Sequence, residues 1–170
     1  MPKFDTPLTY GYLDSPLVPL LVAGDKDGLQ LICFPTERNA ALPTDEWQRD
    51  DAFFPDAFAQ LSAYFTGELR EFDLSLNPGG TAFQKSVWTA LLEIPFGQTM
   101  SYGGLAAHIG QPKTSRAVGA ANGANPLPIV VPCHRVIGAD KSLTGFGGGI
   151  EIKQFLLDHE GVKGTQRLLI

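Results

Sequence analysis

A cysteine and a histidine stand side by side in Val130-Val131-Pro132-Cys133-His134-Arg135-Val136, and the chain has one other cysteine, Cys33. Three chemistries fit such a pair. Cys133 could be a small apolar residue closing the buried run Ile129-Val130-Val131, since free cysteine is often buried. It could be a nucleophile, because an imidazole and a guanidinium beside a thiol raise its thiolate fraction. It could be a metal ligand with His134 and His159, but a fourth ligand at zinc spacing is missing. Cys–His pairs serve hydrolases as well, where they need an acyl site and a third group to orient the base. Position alone leaves core and nucleophile open and disfavours metal. Cys33, inside the apolar run Leu29–Phe34, reads as core.

Other polar residues stand where chemistry is possible. Thr114, Ser115 and Arg116 open a short helical segment, where hydroxyls, free amides and a cation can hold phosphate. Gly145-Phe146-Gly147-Gly148-Gly149 fits neither a dinucleotide fingerprint nor a phosphate loop. It reads as a flexible loop or as backbone bared for close approach to a ligand. Glu160 closes a predicted helix, where an acid is unfavourable by about 0.3–1 kcal/mol; it reads as a solvated side chain without a partner, with a nearby cation or hydrogen-bond donor as the alternative.

These residues need elements to position them. Leu17–Phe34 reads as two strands joined through Gly24-Asp25-Lys26-Asp27-Gly28, a hairpin. Residues 35–55 read as loop. Ala57, Phe58, Leu61, Tyr64 and Phe65 recur at helical spacing, and Gly67 ends that helix. Phe72, Leu74 and Leu76 alternate with polar residues as a strand does. Asn77-Pro78-Gly79-Gly80 breaks the pattern, so domains are expected over 1–78 and 79–170. In the second, Thr81 and Gln84 fit a capping box opening a helix over about 82–93. Short helices follow over about 101–109 and from 114 or 115 to 121. Their shape is that of a helix-turn-helix, and equally of a helical hairpin that binds nothing. A last helix over about 150–160 has Ile152, Phe155, Leu156 and His159 as its expected buried stripe.

Composition bounds the partners. No apolar run nears the roughly 20 residues that span a bilayer, and the N-terminus does not read as a signal peptide. Two distant cysteines build no disulfide framework, so a reducing cytoplasm is expected. The net charge of −5 argues against nucleic acid until it is divided. Residues 1–80 carry five bases against 13 acids (−8), and residues 81–170 carry eight against five (+3). The second half can meet a phosphate backbone, or the split is an acidic solubility face and chance.

The second half resembles the O6-alkylguanine-DNA alkyltransferases, also called methylated-DNA–protein-cysteine methyltransferases. The resemblance runs through Phe83-Gln84, Val87-Trp88, Ile94-Pro95-Phe96-Gly97, Ser101-Tyr102-Gly103, Ser115-Arg116-Ala117-Val118-Gly119-Ala120 and Asn125-Pro126. It continues through Pro132-Cys133-His134-Arg135-Val136, the glycine-rich loop, Lys153–Leu157 and His159-Glu160-Gly161. Residues 1–78 resemble the variable first domain more loosely. The resemblance implies a small ribonuclease-H-like α/β domain followed by a helical, winged-helix-like DNA-binding domain.

It also implies a function: direct reversal of O6-alkylguanine in DNA, with O4-alkylthymine as a further candidate. The Cys133 thiolate takes the alkyl group as a stable thioether, so each molecule acts once. His134 is implied as the base, reaching the thiol through a water, with Glu160 orienting it. Tyr102 is the donor to guanine N3. Asn125 ties the recognition region to the active-site segment. Backbone around Cys133, Val136 and Gly147 reads the guanine edges, and the loop with Gly147 and Gly148 forms one wall. The DNA is held through its minor groove with the damaged base flipped out, Arg116 filling the gap and Thr114 and Ser115 beside it. A monomer without cofactor is expected. No zinc is expected either, because residues 1–78 hold one cysteine and no histidine. Gly147 stands where some relatives carry serine, which predicts room for bulkier alkyl groups. Two rivals remain: a lesion-binding protein without transfer, against which Cys133 itself argues, and a cysteine hydrolase.

Overall fold

The hairpin forms where the turn residues cluster. In the computed structural model, which describes residues 7–35 and 43–167, strands β2 (Leu20–Asp25) and β3 (Gly28–Cys33) pair antiparallel. Only Lys26 and Asp27 lie between them. Gly28 has φ +142, and a Cβ there would meet Ser75 O at 2.6 Å, so only glycine fits. Leu21, Ala23, Leu31 and Cys33 cluster with Leu8 on one face, with Tyr10, Tyr12 and Trp47 packed against them. Leu20, Val22 and Ile32, of opposite parity, are also buried. Both faces are thus covered, as the unbroken apolar run requires. Cys33 is core, as expected.

Two strands of this sheet escaped the sequence. Strand β1 (Thr9–Leu13) lies beside β2, and the two-residue β4 (Gln48–Arg49) pairs parallel with β1, giving the order β3-β2-β1-β4. Thr-Tyr-Gly-Tyr-Leu holds strand-favouring Thr and Tyr, but its central glycine and lack of an apolar run hide the strand. Strand β4 falls inside the expected 35–55 loop, of which 36–42 lies outside the described residues. Helix α1 (Pro55–Phe65) follows, with Thr66 as its C-cap and Gly67 at φ +80. The strand expected over Phe72–Leu76 is corrected. The alternation in burial is real, but only one bridge forms, Leu29 with Leu76. It is held by Leu29 N–H to Ser75 O at 2.9 Å and Asn77 N–H to Leu29 O at 2.8 Å. A patterned stretch without a second ladder partner stays extended chain.

The chain divides into two compact units, residues 1–79 and 80–170. In the second, α2 (Ala82–Leu92) opens with the capping box: Gln84 N–H donates to Thr81 Oγ1 at 3.2 Å, and Thr81 N–H donates to Gln84 Oε1 at 2.9 Å. A short strand β5 (Met100–Ser101) leads into α3 (Tyr102–His108), whose N-cap Ser101 accepts from Gly104 N–H. Residues 109–114 then connect to α4 (Ser115–Gly123). The Trp88 indole donates to Ala121 O at 2.9 Å and fastens α2 to α4. Strand β6 (Val136–Ile137) pairs parallel with β5. Strands β7 (Ser142–Leu143) and β8 (Gln166–Arg167) pair likewise, flanking α5 (Ile150–His159).

The stripe expected on α5 is corrected. Its buried residues are Ile152, Lys153, Leu156 and Leu157, while Phe155 and His159 are half-buried. Those two rings lie parallel to each other, centroids 6.2 Å apart. Periodicity places a lysine outside, and this one is inside.

Candidate active site

Pro132 sets the backbone of the site. At φ −81 and ψ 62 it makes an inverse γ-turn, closed by Cys133 N–H to Val131 O at 2.8 Å. A single 3-10 turn follows over Cys133–Arg135, and all three of its side chains are buried. Val136 N–H closes that turn on Cys133 O, which also accepts from Asn122 Nδ2 at 3.3 Å. Asn125 donates from Nδ2 to Val131 O at 2.8 Å and accepts at Oδ1 from Leu127 N–H at 3.0 Å. It thereby ties the end of α4 to the segment entering the turn. Ile129, fully buried, holds φ +74 within that segment. A β-branched residue there is strained and persists only because its surroundings fix it.

Glu160 is the hub. It caps α5, and Gly161 at φ +78 turns the chain away. Its carboxylate accepts four donors: His134 Nε2 at 2.7 Å, Arg135 Nε at 2.9 Å, Arg135 Nη2 at 3.0 Å and Gly97 N–H at 3.0 Å. Arg135 spends a third donor on Ile94 O at 2.6 Å and lies over the Phe96 ring. The unfavourable placement of an acid at a helix end is resolved by donors that the sequence holds far away.

Burial opposes ionisation of Glu160. The hydrogen bonds from His134 and Arg135, the His134 charge and the Gly97 N–H outweigh it, holding the carboxyl well below its ordinary range. Burial pushes His134 the other way, below its usual value. Glu160 pulls it up, while the charges of Arg135 and Lys153 resist a second cation. A charged His134 and a depressed His134 cannot both hold at neutral pH, and we favour the neutral ring. The bidentate Arg135 already balances the Glu160 charge. Nε2–H then donates to Glu160, and Nδ1 keeps its lone pair, with no partner among the protein atoms.

Both depressed groups bear on stability with the same sign. Each contributes stability that is present above its unfolded value and lost as pH falls through the folded one. Stability of the protein is therefore expected to drop as pH falls below about 6.5 and again below about 4.5, the ordinary values of the two groups. Urea titrations across that range check it, and equal stability at both ends would count against the buried pair.

The expectation that cations lower the Cys133 pKa is corrected. Arg135 faces Glu160, and burial pushes the thiol up, against a hydrogen bond from Asn125 and the Lys153 charge. The resting group is a buried thiol. Lys153 is a member of the site that periodicity missed. Fully buried, it donates from Nζ to Val136 O at 2.6 Å and to Thr144 O at 2.8 Å. Burial brings it down to about 8. Its Nζ lies 5.9 Å from the Tyr102 ring centroid. The Tyr102 hydroxyl donates to Thr144 O at 3.2 Å, and burial raises its pKa, so it stays a proton donor.

Tyr102 joins this buried cluster to an open cavity of about 580 Å³, lined among others by Ser115, Arg116, Gly119, Thr144, Phe146 and Gly147. Val136 and Thr114 do not line it. Val136 is buried in β6, and Thr114 precedes the first turn of α4. Gly148 lies in the same loop as Gly147. The outer face of α4 presents Arg116, Ala117 and Ala120, all exposed. The site residues thus fall into two groups. Cys133, His134, Asn125 and Glu160 are knitted inside, and Tyr102, Ser115, Arg116 and Gly147 surround the opening. Among the described residues no cluster of three or more His, Cys, Asp or Glu could hold a metal.

Known proteins share this arrangement across both units. Residues 8–78 match the family described as 6-O-methylguanine DNA methyltransferase, ribonuclease-like domain, and residues 82–162 match the DNA binding domain of the same name. A methylated-DNA–protein-cysteine methyltransferase of Methanosarcina acetivorans is 53% identical over 152 residues, 89% of this chain and 97% of that protein. Its counterpart from Mycobacterium tuberculosis is 50% identical over 151 residues, 89% of this chain and 91% of that one. A crystal structure of Mycobacterium tuberculosis OGT in complex with DNA superimposes at a TM-score of 0.83 with 50% identity, covering 89% of this chain and 92% of the other.

Proposed function

The chain belongs to the O6-methylguanine DNA methyltransferase family, and from that premise we propose that Cys133 is the acceptor that takes an alkyl group from O6 of guanine in DNA. The protein is a DNA-binding, direct-reversal repair methyltransferase, and on this proposal each molecule acts once. One observation carries the assignment. A free buried cysteine is followed by a histidine that gives one nitrogen to a buried carboxylate and keeps the other unpartnered.

The chemistry follows from those states. The thiol proton passes through a water to His134 Nδ1, and Glu160 holds the resulting imidazolium. Sγ bonds the alkyl carbon as the C–O6 bond breaks, its electron pair going into the purine. Tyr102 turns its hydroxyl from Thr144 O to guanine N3 and neutralises the leaving base. Backbone at Val136 and Gly147 reads the base edges, with Gly148 completing the wall. The Cys133 thioether has no step that returns the thiol. A reduced thiol is a condition of the reaction, so a reducing, cytoplasmic compartment suits it.

DNA engages through α3 and α4, acting as a helix-turn-helix in the minor groove, with the protein as a monomer. The small exposed face of α4 supports a shallow approach, and Thr114 and Ser115 open the helix toward phosphate. The base must leave the stack to reach a buried sulfur, and Arg116 occupies the gap. Arg116→Ala is expected to slow transfer from a duplex about tenfold or more while leaving a single-stranded oligonucleotide within about threefold, because unpaired bases need no replacement. Parallel single-turnover assays on both substrates check this. An equal loss on both would assign Arg116 to phosphate contact alone.

A further inference from the structure

Among the described residues, two buried side-chain polar atoms lack a hydrogen-bond partner, Asn122 Oδ1 and His134 Nδ1. Both residues are tied to Cys133. His134 follows it in the chain, and Asn122, in the last turn of α4, donates to its carbonyl. Asn122 is 2% exposed and His134 0%. Native proteins seldom leave such atoms unpaired without a reason.

Both atoms are acceptors. Nδ1 is one because Nε2–H is committed to Glu160. Oδ1 is one because Nδ2 is committed to Cys133 O, and rotating the amide would set two oxygens against each other. The third group here, the Cys133 thiol, is a donor. Two acceptors and a donor complement one water, with its two O–H bonds and its lone pairs. The charged and titratable groups around Cys133 are otherwise engaged. Arg135 and Glu160 bind each other, Lys153 donates to Val136 O and Thr144 O, and Tyr102 donates to Thr144 O. Asn125 binds Val131 O and Leu127 N–H and donates toward the Cys133 sulfur, so it offers a water no free acceptor.

We propose that Asn122 is a positioning residue for alkyl transfer: its Oδ1 and His134 Nδ1 together hold one water whose oxygen faces the Cys133 thiol. The inference rests on the alkyl-transfer reading and deepens it. The Cys133 proton moves to the water oxygen as one water proton moves to His134 Nδ1. The other O–H stays on Asn122 Oδ1, and the water ends neutral. The freed sulfur bonds the alkyl carbon, and the C–O6 electron pair leaves with the purine. Without Asn122 the water has one fixed acceptor and can turn away from the thiol.

The test uses the full chain and a duplex carrying one O6-methylguanine, with single-turnover rates from about pH 6 to about pH 10. Asn122→Leu keeps the volume and loses the acceptor. It is expected to slow transfer roughly tenfold near neutrality, with the deficit closing at high pH, where the thiolate forms without help. Asn122→Asp keeps an acceptor oxygen and, held neutral by burial, donates its O–H to Cys133 O as the amide does, so it is expected to stay within about threefold of the parent near neutrality. Affinity for the duplex is expected to be unchanged in both. A leucine variant with the parental profile would overturn the proposal. So would a deficit uniform in pH, which marks a mere brace. An aspartate variant as slow as leucine would overturn it too, and decides the matter even if the leucine variant fails to fold. If the parent protein transfers no methyl at any pH, the underlying reading fails instead.

Discussion

Cys133→Ala is expected to abolish methyl transfer, by at least about 10⁴-fold, the scale on which losing the nucleophile of a coupled relay is felt. No neighbour can substitute. Cys33 lies in the other unit's core, against Leu8 and Leu21. His134 is held away by Glu160, and Lys153 spends two donors on carbonyls. The same change is mild for the fold. It removes one sulfur from a buried site and costs about 1 kcal/mol, within the ordinary range for such substitutions. Affinity for a methylated duplex is expected to persist, because no contact proposed for DNA uses the thiol. A transfer assay paired with a gel shift checks both halves. Transfer surviving in the alanine variant would move the acceptor elsewhere.

Glu160→Gln is expected to strike stability and chemistry together. The carboxylate accepts two hydrogen bonds from Arg135, whose side chain is almost wholly buried. Removing one charge of a buried pair strands the other, at about 3–5 kcal/mol. The amide also presents an N–H₂ group where His134 Nε2–H needs an acceptor, so the ring loses its fixed tautomer. Single-turnover transfer is then expected to fall about 10²–10⁴-fold, the typical worth of a positioned base. Urea denaturation and rapid-quench kinetics on one preparation separate the two effects. The loss of stability below about pH 4.5 should also flatten, since the depressed carboxyl responsible for it is gone. Parental stability in the variant would mean that Glu160 does not anchor Arg135.

The sequence makes α2, α3 and α5 of the second unit legible because each is punctuated locally. Thr81 and Gln84 cap α2, Ser101 caps α3, and Gly161 ends α5. Local rules fail where a residue takes its identity from a distant partner. Arg135 reads as a cation for its neighbour Cys133, yet its donors go to Glu160 and to Ile94 O. Lys153 falls outside the stripe expected from periodicity, yet it is buried under the carbonyls of Val136 and Thr144. The consequence is a reversed sign on the thiol: burial governs Cys133, and a base becomes necessary. Asn122 sits among alanines and glycines and gives no signal until its amide is seen against Cys133 O. In the first unit, β1 is invisible because Gly11 interrupts it. Phe72–Leu76 shows a strand's alternation without a strand's partner.

The most direct measurement is the intact mass of the protein after incubation with an excess of duplex carrying one O6-methylguanine. We expect one methyl gained per chain, located on Cys133 by peptide mapping, and repaired guanine equal in amount to protein and never above it. Repaired guanine in molar excess over a chain of unchanged mass would contradict the account.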